Sequence, residues 1–151
     1  MRRLDLVLSQ EEAIAIVDEN QFAVLCLNDP AGRPYGLPMD YVRQGNSLYF
    51  HGSKEGRKVN SMKATPWACA VIIGENEIVP NKFGRKYKSV IVEGGIELID
   101  EPEFKRQVMT WVVKRKSSDY FEKGLTVIEK MLDRVLVYKM NMETVSGKHG
   151  L

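Results

Sequence analysis

The segment Tyr49 to Met62, YFHGSKEGRKVNSM, gathers residues able to hold an anion. Phosphate binding needs positive charge, exposed backbone N–H groups and room for close approach. Gly52 and Gly56 remove side chains where a ligand's approach would need space. Ser53 adds a hydroxyl, Arg57 a fork of donors and Lys58 a compact charge. A helix opening near Gly56 would add the partial positive charge of its N-terminus. The same composition also describes a solvated turn with two surface bases, and this segment by itself leaves both readings open. His51 is the one residue here suited to general acid or base work, and it fits a structural histidine as well. The two histidines and two cysteines of the chain match no zinc spacing.

The flanking elements must position these residues. Leu48, Tyr49 and Phe50 belong to a strand over 47–51, paired back through the QGN turn at 44–46 to a strand over 36–43. Pro38 interrupts that earlier strand and points to an edge, a bulge or a ligand contact. A helix follows over 56–64, stopped by Pro66. Ser9 and Glu12 form a capping box for a helix over 9–20. FAVLCL at 22–27 and WACAVIIG at 67–74 read as strands, and 75–86 as a polar connection. A long strand over 87–100 carries Gly94-Gly95, a bend or bulge. A helix over 101–116 has acids at its start and bases at its end, as its dipole favours. One or two short helices surround Gly124, and a last strand runs over 134–145, ending in Ser146-Gly147-Lys148.

The chain as a whole fits one domain over residues 1–151. Hydrophobic residues at 44% and charged residues at 28% are an ordinary globular balance. A net charge of +2 does not argue for nucleic acid, and no apolar run suffices to span a membrane. The opening MRRLDLVLSQEE lacks the apolar core and cleavage site of a signal peptide. Cys26 and Cys69, both in apolar strands, read as buried reduced thiols of a cytoplasmic protein. Trp111, with Val108, Val112 and Val113, reads as core. Met140 and Met142 read as one face of a strand, and KRK at 114–116 as a solvated helix end. Tyr41, Tyr49 and Phe50 fit either barrel core or the site. Short turns without regular strand–helix alternation favour an antiparallel barrel over a doubly wound sheet.

Taken in order, PYGLPMDYV, LYFHGSKEGRKVNSM, YKSVIVEG and TVSGK resemble the FMN-binding split-barrel family of pyridoxamine 5′-phosphate oxidase, and within it the nitroimidazole-resistance branch. The resemblance covers nearly the whole chain. It implies a mostly β fold: a six-stranded antiparallel split barrel with flanking helices, working as a homodimer with FMN in the cleft between subunits. Pro38, Met39, Asp40 and Tyr41 match the strand beside the isoalloxazine ring, contacting it mainly through backbone. His51, Gly52 and Ser53 match the strand end beside the ribityl phosphate, and Arg57 and Lys58 the basic pair on the phosphate. Tyr87 and Ser89 match a Tyr-x-Ser-Val pattern near the flavin. Ser146, Gly147 and Lys148 match a terminal motif reaching toward the partner subunit. The oxidase proper carries a further basic phosphate-binding strand and a C-terminal Arg/His substrate set. Leu37 to Val42 offers no such run, which argues against oxidation of pyridoxamine phosphate.

The functional expectation is an FMN-dependent oxidoreductase acting on a small molecule, nitro-aromatic compounds among the candidates. His51 is the candidate acid or base. The alternatives are a flavin-binding sensor or carrier without turnover, and a haem-binding barrel with His51 as axial ligand.

Overall fold

The computed structural model describes residues 3–151; Arg2, one of the two arginines of the opening segment, lies outside the described residues. The order is α1 (Gln10–Glu19), β1 (Phe22–Asn28), β2 (Pro34–Asp40), β3 (Val42–Gln44), β4 (Ser47–Ser53), α2 (Arg57–Ala64), β5 (Trp67–Val79), β6 (Gly84–Ile99), α3 (Pro102–Lys116), α4 (Phe121–Met131), β7 (Val135–Asn141) and β8 (Thr144–Gly150), with single 3-10 turns at Leu4–Leu6, Pro80–Lys82, Ser118–Tyr120 and Leu132–Arg134. The strands pair in the order β2-β1-β5-β6-β7-β4-β3, with β8 also on β6. Every pairing is antiparallel. The architecture is a split barrel with flanking helices, as expected.

The expected six strands become eight segments because two of them divide. Tyr41 turns its side chain into the core and separates β2 from β3; its hydroxyl donates to the Val17 carbonyl at 2.7 Å. The last strand breaks after Asn141, so Ser146, Gly147 and Lys148 lie inside β8, paired to Ile91, Val90 and Ser89. The segment read as a polar connection over 75–86 is strand and turn instead. β5 and β6 extend into a long hairpin beyond a bulge at Ile73/Glu75. Its polar residues are satisfied by pairing to each other, which needs no apolar face.

β6 is the strand both halves share. It pairs with β8 over Tyr87–Glu93, then with β7 over Ile96–Ile99. The change of partner falls at Gly94-Gly95, where a bend was expected. A Cβ on Gly94 would stand 1.9 Å from the Asn141 carbonyl oxygen, so only glycine lets the strands approach here.

The helices close the barrel. The Ser9 hydroxyl accepts from the Glu12 N–H, and the Glu12 carboxylate accepts from the Ser9 N–H, as the capping box requires. α1 then buries Ala13, Ile16 and Val17, and α2 buries Val59 and Met62, against a core holding Leu25, Leu48, Phe50, Ile72, Val90, Tyr138, Met140 and Met142. A second cluster joins Tyr49, Val108 and Val137 with Phe104 and Trp111 of α3, the Trp111 ring 5.3 Å from Tyr49. Trp111 therefore packs on the core, as read; the two methionines are buried there too, but Met142 lies just past the end of β7 and not on a face of that strand.

Two sequence readings need correction. Cys26 and Cys69 are half-buried, because they stand opposite each other on the outward face of β1 and β5. KRK at 114–116 is solvated at Lys114 and Arg115, as read, but not at Lys116. Arg115 donates to the Asp18 and Asn20 carbonyls, and Lys116 pairs with Asp40 at 2.7 Å.

Gly94→Ala should destabilise the fold by about 3 kcal/mol or more through this backbone clash. Gly36→Ala, whose Cβ would meet Val24 at an ordinary 3.6 Å, should cost under about 1 kcal/mol. Urea unfolding of both variants checks the contrast.

Candidate functional site

The end of β4 is fixed from below. Tyr138 of β7 is fully buried, and its hydroxyl donates to the Ser53 carbonyl at 2.6 Å. A Cβ on Gly52 would stand 2.9 Å from that hydroxyl and 3.1 Å from Lys58 Cε, so the strand must be bare there. The Ser53 hydroxyl donates to the Glu55 carbonyl at 2.8 Å and accepts from Lys58 Nζ at 3.3 Å. Gly56 then takes φ +108°, a region open to glycine, and α2 begins.

The N-terminus of α2 has no side-chain cap and no acidic residue in its first turn. Its leading N–H groups keep their donors and their partial positive charge. Lys58 lies beside them over Gly52, and among the described residues its ammonium pairs with no carboxylate. Arg57 points another way. Its guanidinium sits 3.2 Å from Asp29 and 4.1 Å from the Tyr35 ring centroid. Asp29 is itself buried and accepts from the Ala31 and Arg33 N–H groups and from Arg33 Nε. The two bases therefore flank the junction rather than converge within it.

A second group of charges borders the same strand. Asp40 ends β2, Lys116 ends α3, and their ion pair stands near His51. His51 is half-buried and pairs with Val137 in the sheet. Burial pushes its imidazole below the ordinary value; Lys116 pushes the same way, and Asp40 partly opposes them. The ring is neutral at pH 7.

β2 is an edge strand, paired only to β1, so its outer backbone groups have no strand partner. Pro38 and Asp40 face outward, while Met39 packs on the core and Tyr41 is buried within it. Any ligand at this edge meets Tyr41 through main chain alone.

Asp40, His51, Gly52, Ser53 and Lys58 thus border one region of the single chain. Ser89 and Tyr87 do not. β6 lies three strand spacings from β2, roughly 14 Å, and β8 with Lys148 roughly 19 Å. Ser89 stands between Ile73 and Lys148 in the sheet, remote from the β4–α2 junction.

Sequence reasoning missed Tyr138, Lys116, Asp29 and Tyr35. Tyr138 sits in an ordinary buried strand and Lys116 in a basic helix end, so neither carries a local signal. Asp29 stands in a turn whose composition explains it without a ligand.

Among the described residues no cluster of His, Cys, Asp and Glu could hold a metal, and no helix is long and apolar enough to cross a membrane.

The family model described as pyridoxamine 5′-phosphate oxidase matches residues 9–149. No curated protein matches significantly. Among solved structures, the flavocytochrome Anf3 from Azotobacter vinelandii superposes with a TM-score of 0.85 at 22% identity, over 100% of this chain and 72% of its own. A candidate 5-nitroimidazole antibiotic resistance protein from Bacteroides thetaiotaomicron gives 0.77 at 20% identity, over 95% and 86%. An FAD-binding protein from Mesorhizobium loti gives 0.67 at 27% identity, over 95% and 94%.

The depressed His51 value sets a pH dependence. As pH falls through the ordinary value of 6.5, the unfolded chain takes up this proton before the folded one. Its contribution to stability is therefore complete above that value and declines below it. His51→Gln should flatten the rise of Tm between about pH 5 and pH 7. Thermal melts across that range check it, and an unchanged slope would remove His51 as its source.

Proposed function

We propose that this chain, which belongs to the pyridoxamine 5′-phosphate oxidase family, is an FMN-binding oxidoreductase. The observation that carries the reading is the β4–α2 junction. An ammonium that pairs with no carboxylate among the described residues lies over the bare backbone of Gly52, beside an uncapped helix N-terminus. Those are the requirements of a phosphate. Lys58 and the leading N–H groups of α2 would hold it, with the Ser53 hydroxyl between them. Arg57 would add a second charge by sharing itself with Asp29.

Pro38, Met39, Asp40 and Tyr41 would present their backbone to the ring system along the unpaired edge of β2, and His51 borders the same edge. When bound, FMN supplies the electron transfer. The chain's own residues bind and orient it, and the neutral imidazole of His51 can accept a proton from a substrate-derived group. The Asp40–Lys116 pair keeps a cation close to that imidazole and disfavours a second positive charge there. Flavin-binding and haem-containing proteins both occur among similar folds. FMN is favoured by the phosphate-type junction, for which a haem-binding barrel has no need. The resistance protein with a similar fold makes nitro-aromatic compounds the first substrates to try.

A second copy of the chain would complete the site. The outward face of β1, β5 and β6 exposes Phe22 (55%), Trp67 (47%), Ile73 (54%) and Ile91 (40%). That is an apolar sheet face of the kind partners cover. Ser89 and Lys148 share it, three and four strands from the β2 edge of their own chain. In a homodimer they would approach the partner's flavin.

Arg57→Ala/Lys58→Ala should weaken FMN binding by roughly a hundred-fold to ten-thousand-fold while changing riboflavin affinity little. Titration of apoprotein with each flavin reads this, and sedimentation of the same samples reads the assembly. Equal FMN affinity in wild type and variant would remove the phosphate site. A flavin-loaded monomer would remove the cross-subunit completion. An intense Soret band in place of flavin absorption would favour the haem alternative.

A further inference from the structure

α3 and α4 pack side by side, with Arg106 of α3 paired to Glu129 of α4 at 2.6 Å and the closest approach at Gly124. A Cβ on Gly124 would stand 2.5 Å from Val113 Cγ1, so the helices touch there backbone to side chain. Beside this contact they border a cleft of about 450 Å³ that is open to solvent, with Tyr120, Val127 and Met131 exposed on its rim. Its walls are apolar: Met109 and Val113 from α3, and Val127 and Met131 from α4. Its floor is the buried trio Ile128, Leu132 and Val135. The floor is held rigid by Lys105, whose buried ammonium donates to the Leu132 and Val135 carbonyls at 2.7 and 3.1 Å and to Asp100 at 2.6 Å.

The polar side chains on the lining are the Ser117 hydroxyl, the Tyr120 phenol and the Lys123 ammonium. All three can donate a hydrogen bond, and no carboxylate joins them. Among the described residues Lys123 forms no ion pair. The volume falls within the range of small-molecule sites, and a pair of methionines suits a wall that adapts to a flexible apolar body. The phosphate junction differs from it in every respect, since that site has little apolar wall.

We infer that this cleft is a second ligand site, for a small amphipathic carboxylate with an apolar tail of moderate length. The tail lies between Met109, Val113, Val127 and Met131, and the carboxylate meets Lys123, with Tyr120 and Ser117 as neutral donors. A second copy of the chain fits the observations less well, because a covering helix would leave the Lys123 ammonium facing apolar surface.

The test uses the full-length chain with octanoate and 1-octanol as probes, read by calorimetry and by the methyl resonances of labelled methionine. Octanoate should bind one per chain, shift the Met109 and Met131 methyls, and bind roughly ten-fold more tightly than octanol. Val127→Trp, which fills the cleft from an exposed position, should abolish binding of both probes. Lys123→Gln should bring octanoate down to the affinity of octanol. Equal affinities for the two probes in wild type would overturn the carboxylate assignment. Absence of methyl shifts at millimolar octanoate in folded protein would overturn the site itself. A Met131 shift that follows protein concentration instead of octanoate would overturn it in favour of a subunit interface.

Discussion

A single partly buried hydrogen bond organises the proposed site: the Tyr138 hydroxyl on the Ser53 carbonyl at 2.6 Å. Burial pushes the Tyr138 phenol up to about 12, so it remains a donor at any pH the protein meets. The bond ends β4 at a fixed height and leaves space at position 52 for no side chain. Lys58 can therefore lie across bare backbone, and Ser53 and Gly56 turn the chain so that α2 presents its N–H groups to the same space. Breaking the Tyr138 contact would leave the end of β4 held only by its pairing to Leu136 and Val135.

The split of the barrel supplies the other half of the arrangement. The pairing path runs from β2 to β3, consecutive in sequence but at opposite ends of the sheet order. Tyr41, buried between them, carries the chain across the opening. β2 is thereby left with an unpaired edge, and Asp40, His51 and Lys116 stand beside it. β6 continues through both halves and carries Ser89 to the far side of the sheet. The same topology that gathers the phosphate-type junction and the β2 edge in one chain keeps Ser89 and Lys148 away from them. It also leaves apolar side chains exposed on the outward face of β1, β5 and β6.

Much of the fold was legible in the sequence, because the relevant signals are local. Ser9 and Glu12 announced α1, Pro66 ended α2, and Gly94-Gly95 marked the bend of β6. The hairpin over 75–86 was not legible: its residues are mostly polar, its few apolar ones such as Ile78 and Phe83 are exposed, and pairing between two solvent-facing strands leaves no apolar alternation to read. The division at Tyr41 was hidden for a different reason, since it depends on Val17, 24 residues away. The junction residues Gly52, Ser53 and Lys58 were found by type and spacing. Their support was not, because Tyr138 reaches them across a strand pairing from 85 residues further along. Lys116 was misread for the same reason: a base at a helix end is ordinarily solvated, and only the tertiary position of Asp40 makes it otherwise.

The central claim is that a phosphate lies in the β4–α2 junction between Lys58 and the N-terminus of α2. Phosphorus NMR of the FMN-loaded protein, followed from pH 8 to pH 5, addresses that phosphate directly. Free FMN loses its second phosphate charge near pH 6, as phosphate monoesters do. A phosphate held by an ammonium and by helix N–H groups has that step displaced to lower pH, so the bound resonance stays constant across the range. A bound resonance that titrates near pH 6 like free FMN would contradict the claim.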